Sequence, residues 1–240
     1  MLYKVLNENG TSPYRGFAWP LPKGGKSGAW VRAEGPLVLC GNGVHLCDGE
    51  RQLLSHLGPT IWEAEVRGGR VDGNDKIVVR EARLVRRIDQ WNDRTARLFA
   101  ALCAEHVLPI FEAVDPNDSR PRDAIEVARR FADGDASREE MRVAHAAYAC
   151  ASAYAYASAS AHVVSACASA SAYASAHAAS ASVHASAHAA SASASASASA
   201  HASARRAERA WQADRLAELL SAPGDWTIEQ EEPIEKRNDE

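Results

Sequence analysis

From Arg138 to Ala222 the chain holds neither glycine nor proline, and from about Ala144 to Ala204 it is built almost wholly of alanine and serine. That tract constrains the fold more than any other feature. Much of it alternates strictly, as in Ala149-Cys-Ala-Ser-Ala-Tyr-Ala-Tyr156 and again from Ser191 to Ala200. Alternation of period two is the mark of a strand with an alanine face, as in silk. Yet the tract has no turn residue, and unbroken strands of this length are unusual. The alternation also slips at His162-Val-Val-Ser165, Ala178-Ala179 and Ala189-Ala190, and each odd slip would turn an alanine face inside out. Alanine is the best helix former and both flanks have helical periodicity, so helix is preferred over sheet. A single helix over 138–222 would be about 125 Å long and would lack an apolar stripe. Several shorter, closely approaching helices are the expected solution. Tyr148, Tyr154, Tyr156, Tyr173, Val163, Val164 and Val183 would anchor them. A last helix, Arg205–Leu220, would close the set with Trp211, Leu216, Leu219 and Leu220. No active site is expected in the tract. His177, His184 and His188 have helical spacing, but solvated or serine-bonded histidines are the simpler reading.

The rest of the chain divides around this segment. Residues 1–88 hold nearly all the glycine and have short apolar runs: Leu2–Leu6, Pro36–Cys40, Ile61–Val66, Lys76–Val79 and Arg83–Ile88. These read as strands, punctuated by glycine turns that include Gly68-Gly69. A short helix is expected at Asp48–Leu57, with Asp48 as its N-cap. From residue 89 the period changes. Asp93–Val114 reads as a helix that Pro109 kinks or ends. Pro121 opens a second helix with Ala124, Val127, Ala128 and Phe131 inward, and Asp133-Gly134-Asp135 ends it. Ser137-Arg-Glu-Glu140 is a capping box that starts a third. The expected class is α+β: a small β-rich domain over 1–88, an Ala/Ser-rich all-α domain over 89–222, and an acidic, disordered tail over 223–240.

Charge and cysteine usage narrow the setting. The net charge is −4 and the pI about 6.1, which gives no basic footprint for nucleic acid or an anionic membrane. No apolar run is long enough to span a bilayer, and Met1-Leu-Tyr-Lys-Val runs into polar Asn7-Glu-Asn-Gly10 without a signal-like apolar stretch. The five cysteines are odd in number and scattered, which suits reduced thiols. A cytoplasmic protein is expected.

Two resemblances add to this. Leu39-Cys-Gly-Asn-Gly-Val-His-Leu-Cys47, Ile61-Trp-Glu-Ala-Glu-Val-Arg-Gly68 and Asp75-Lys-Ile-Val78 resemble an uncharacterised domain of phage and bacterial proteins with a Gly-x-His-x-Cys turn; it covers residues 1–88 and carries no activity across. Arg97–Pro109, Arg120-Pro-Arg-Asp-Ala-Ile-Glu126, the alanine-rich middle and Trp211–Leu216 resemble the immunity-protein-like helical domain of actinobacterial and phage proteins, over about 93–220. That second resemblance implies a toxin-neutralising role.

Candidate chemistry lies in the first 88 residues. Cys40, His45 and Cys47 are three soft ligands flanked by Gly41 and Gly43. Zinc would need a fourth, from His56 or Cys103, and a tight glycine turn around a buried His is preferred to a metal site. Arg15, Trp19, His45, Glu63 and Glu65 are the components of a nucleotide or sugar pocket, as in an ADP-ribosyltransferase-like enzyme, but without its full motif order. Glu63 and Glu65 would share one strand face. Lys23-Gly-Gly-Lys-Ser-Gly28 lacks the glycine spacing and the strand-to-helix context of a phosphate loop and reads as a mobile basic loop. Arg80, Arg83, Arg86 and Arg87 read as a solvated face. The preferred function is a non-catalytic interaction or immunity-like protein with a protein partner, no cofactor, no nucleic acid and no membrane. A small enzyme in the N-terminal domain, with His45 central, is the alternative. A self-assembling element built from the tract is a second.

Overall fold

In the first strand, β1 (Leu2–Leu6), successive residues point to opposite faces, and both faces are apolar. Leu2 and Leu6 join one buried cluster, while Tyr3 and Val5 join another. A strand covered on both faces needs one core inside its sheet and a second outside it. The structure is a computed structural model that describes residues 1–112, 115–144, 200–223 and 226, with backbone alone at 110–111 and 200–205.

Four further strands are β2 (Val31–Arg32), β3 (Val44–Asp48), β4 (Thr60–Asp72) and β5 (Ile77–Arg87). All pairings are antiparallel. β4 and β5 form a long hairpin, with Trp62 opposite Arg87 and Asp72 opposite Ile77. The other edge of β5 takes β3 and then β2. β1 pairs with both β3 and β4, which closes the sheet into a small barrel. Closure requires strong bending, and the hairpin supplies it at two register breaks. One leaves Val85 without a partner. The other sets Gly68-Gly69 against Arg80. Gly68 has φ 78°, and a Cβ there would stand 2.9 Å from Arg80 Cβ, so only glycine fits the bend. Leu6, Val44, Leu46, Trp62, Ala64, Ile77, Val79, Ala82 and Leu84 fill the barrel, with Trp19 inserted from the 7–28 loop.

The outer face is covered by helices. A single turn, α1 (Glu50–Leu53), is capped by Gly49 and brings Leu53, Leu54 and Leu57 against β1 and β3. After β5 the chain passes through Ile88 and Trp91 into α2 (Asp93–Glu112), then α3 (Arg120–Asp133), α4 (described over 138–144) and the C-terminal α5 (Ala200–Ser221). One apolar cluster unites Tyr3, Val5, Cys47 and Ile61 of the barrel with Trp91, with Ala96, Phe99 and Cys103 of α2, and with Leu216, Leu219 and Leu220 of α5. The indole N–H of Trp91 donates to the Gly58 carbonyl at 2.8 Å and pins the linker to the barrel. Residues on either side of position 88 therefore share one core.

Several local expectations are met. Pro121 lies in the first turn of α3, and Gly134 ends that helix with φ 87°. Ser137 and Glu140 form both bonds of the capping box, at 2.7 and 3.1 Å. Others need correction. Pro36–Cys40 is not a strand: Val38 closes a tight turn with Gly41 and Asn42, and Leu37 and Leu39 lean over Gly43, Gly69 and Gly73. The strand lies just beyond, where the Gly-x-His-x-Cys segment is β3 and not a turn. Asp48 is the last residue of β3 and does not cap α1. Gly68-Gly69 lies inside β4 as a bulge. Lys76–Val79 and Arg83–Ile88 merge into the single strand β5. Pro109 does not end α2, which runs on to Glu112. On α3 the buried face is Pro121, Ala124, Ile125 and Ala132, with Val127, Ala128 and Phe131 half-buried. The tract from 145 to 199, with its tyrosine and valine anchors, its His177, His184 and His188 and the proposed self-assembly, lies outside the described residues, as does the tail from 227 to 240.

Candidate functional site

His45 sits on β3 with its ring on the outer side, the side opposite Val44 and Leu46. Both ring nitrogens are committed. Nε2 accepts the backbone N–H of Cys40 at 3.1 Å, and Nδ1 donates to the Gly43 carbonyl at 3.1 Å. Only the neutral ring can do both, since protonation would remove the acceptor. Burial holds its pKa below the ordinary histidine value, and the positive charges of Lys4, Lys76 and Arg15 press the same way. Cys40 carries φ 59°, a left-handed conformation rare for a side chain of this kind, and its N–H bond to His45 helps hold that turn. The pair is a structural clasp.

The other sulfur ligand candidate is placed differently. Cys47 is buried in the cluster under the helices, and burial pushes its thiol up to about 12. That buried place sets it apart from Cys40, which is exposed. Cys103 is buried on α2 and likewise raised, and His56 is hydrogen-bonded to the Asp75 carbonyl at 3.0 Å. Among the described residues no group of three or more His, Cys, Asp or Glu is placed to hold a metal ion.

Glu63 and Glu65 do share the outer face of β4, as their spacing requires. Each is held by an arginine of β5: Arg86 Nε donates to Glu63 and Arg83 Nε to Glu65, both at 2.7 Å. Arg32 and Arg67 converge on the buried Glu81, at 3.0 and 2.6 Å. Trp30 lies within reach of two guanidinium groups, Arg67 at 4.2 Å and Arg83 at 4.8 Å from its ring centre. Arg80 donates to the Ala33 and Gly35 carbonyls. The arginine run is thus a paired wall of the barrel. Trp19 is buried inside it, Arg15 stands on the exposed 11–18 turn, His45 lies on β3, and Glu63 and Glu65 lie on the outer face of β4.

Two sites escaped the sequence. Lys4 occupies the interior parity of β1, between Leu2 and Leu6. Its ammonium donates to the His45 carbonyl at 2.9 Å and lies 5.2 Å from the Trp19 ring centre. Burial lowers its pKa to about 8. The second site joins α2 to α5: the His106 ring stacks on Trp211 at 3.7 Å, its Nδ1 is 2.7 Å from Glu208, and Gln212 donates to Glu208 at 2.8 Å.

The structure is a small antiparallel barrel that shares its core with a helical segment. Residues 86–219, more than half of the chain, match the family described as "Imm-5 like putative immunity protein", and the chain belongs to that family. Residues 1–94 match a domain of unknown function. The two matches overlap across Ile88 and Trp91, the linker of the shared core. Neither a curated protein nor a solved structure matches the chain. Among the described residues no helix is long and apolar enough to cross a membrane.

Proposed function

We propose that the chain is a non-catalytic, immunity-like protein that neutralises a toxin by binding it. The observation that carries this reading is the immunity-family match over the helical segment. The barrel residues put forward for catalysis are engaged inside the fold: Glu63 is held by Arg86, Glu65 by Arg83, and His45 has both ring nitrogens committed, to Cys40 and Gly43. A general base needs a free lone pair within reach of substrate. In this reading the barrel and the helices act as one body, and the domain limits 1–88 and 89–222 mark sequence zones. Bacterial or phage origin and a cytoplasmic setting belong to the same proposal.

The test is co-expression with a toxin, sought among neighbouring genes whose products arrest growth. Protection of growth by the native chain, retained in His45→Ala/Glu63→Gln, is the expected result. Loss of protection in that variant at unchanged melting temperature would favour the enzyme alternative. Absence of protection by the native chain from that toxin would remove the immunity reading.

A further inference from the structure

Between Glu8 and Glu34 the sequence has no Asp or Glu, but it has Arg15, Lys23, Lys26 and Arg32. The same stretch holds the most exposed large hydrophobic side chain among the described residues, Tyr14 at 82%, and Phe17 at 49%. These residues are displayed by two turns. The first is closed by the Thr11–Ala18 bridge and by the Ser12 N–H bond to the Phe17 carbonyl at 2.8 Å. It is anchored by Trp19, whose indole donates to Ser12 Oγ at 2.9 Å and whose ring meets Phe17 edge-on at 5.9 Å. Arg15 and Gly16 are both left-handed at φ 63°, which turns the tip outward. For arginine that conformation is unfavourable and persists because the flanking bonds impose it. The second turn is the Gly24-Gly25 corner between Lys23 and Lys26, whose backbones exchange two hydrogen bonds. The turns meet at their bases, where Gly28 lies against the Pro20 carbonyl so closely that a Cβ would overlap it.

Arg15, Lys23 and Lys26 have no carboxylate partner among the described residues. This sets them apart from the barrel wall, where Arg32, Arg67, Arg83 and Arg86 are all neutralised by glutamates. Exposed tyrosine, phenylalanine and arginine on an imposed backbone have the composition of a binding hot spot. We propose that the two turns of residues 11–28 are the face with which this chain grips a protein partner that presents carboxylates beside apolar side chains. The proposal rests on the interaction reading above, in which that partner is the toxin. A nucleic-acid strand fits the surface less well. Following a phosphate backbone takes a continuous row of free cations, and here Arg32, Arg67, Arg83 and Arg86 on the adjoining wall are already paired with glutamates that would repel phosphate.

The experiment uses the full chain and a short fluorescein-labelled peptide of alternating Glu and Leu, read by anisotropy, with an oligo-dT of equal length beside it. The peptide should bind, more weakly as salt rises. Arg15→Glu, Lys23→Glu/Lys26→Glu and Tyr14→Ala/Phe17→Ala should each weaken it by about tenfold or more, with melting temperatures unchanged. Arg51→Glu, on exposed α1, should leave it as it was. No binding of the peptide, equal binding by the turn variants, or tighter binding of oligo-dT would overturn the proposal. A chain that binds the peptide through these turns yet protects no cell from toxin overturns the immunity reading and leaves the docking face standing.

Discussion

Leu219→Ala should loosen the barrel, although residue 219 is far from every strand in sequence. Leu219 is fully buried in the cluster that also contains Tyr3, Val5 and Ile61. Removing a leucine side chain from such a site costs the transfer of its carbons plus the cavity left behind, about 3 kcal/mol. That is a large part of the stability of a typical domain, roughly 5–15 kcal/mol. If barrel and helices unfold together, the loss applies to every amide protected by global opening. Exchange of the slowest amides would then accelerate by more than about 100-fold in β1, β4 and β5 as well as in α5. Hydrogen exchange read by mass spectrometry on peptides from 1–6, 60–66 and 77–87 measures this directly. Fast exchange confined to α5, with the strand peptides as protected as before, would refute the shared core as an energetic unit.

Single sites give three further expected outcomes. Lys4 has a folded pKa of about 8 against an ordinary 10.5, so its cost is fully present below pH 8 and is relieved as pH rises toward 10.5. Lys4→Met should therefore stabilise the protein at pH 7 by about 2 kcal/mol, allowing for the half-buried side chain, and flatten the rise of stability between pH 8 and 10 in urea melts; identical pH slopes in both proteins would count against this placement. Gly68→Ala should cost about 1–3 kcal/mol, because the left-handed backbone and the Arg80 contact both resist a Cβ. Gly134→Ala, at an ordinary left-handed φ of 87° with open space, should cost less, so equal melting temperatures for the two would contradict the bulge argument. In the native protein a thiol reagent should modify exposed Cys40 well before buried Cys47 and Cys103, as read by peptide mapping; equally fast labelling of Cys47 would show that its cover is loose.

The sequence announced its helix ends better than its strands. The Ser137–Glu140 box, Pro121 and Gly134 are decided by bonds within a few residues and are met, whereas the Asp48 cap and the Pro109 stop are not. Pro36–Cys40 and Val44–Asp48 are both short apolar runs beside glycine, and nothing local says which of them finds a partner strand. That choice was made by β1 and β5, tens of residues away. Barrel closure is equally non-local, so Gly68-Gly69 looked like a turn when it is the bend that lets β4 wrap. Lys4 is hidden in the sequence because lysine in a strand ordinarily faces outward, and its paired interior place becomes visible only with Trp19 beside it. The common face of Glu63 and Glu65 was legible from their spacing. Their arginine partners could have been sought in the run from Arg83 to Arg87, which offers cations at matching spacing on the next strand.

A binder and an enzyme differ most plainly in stoichiometry. The direct measurement is the activity of the toxin found by the co-expression test, titrated with the purified full chain at fixed toxin concentration well above the dissociation constant. Neutralisation by binding predicts a linear fall that ends at a fixed molar equivalence and does not deepen with incubation time. Loss of all toxin activity at a small fraction of that equivalence, progressing with time, would mean turnover and would contradict the account.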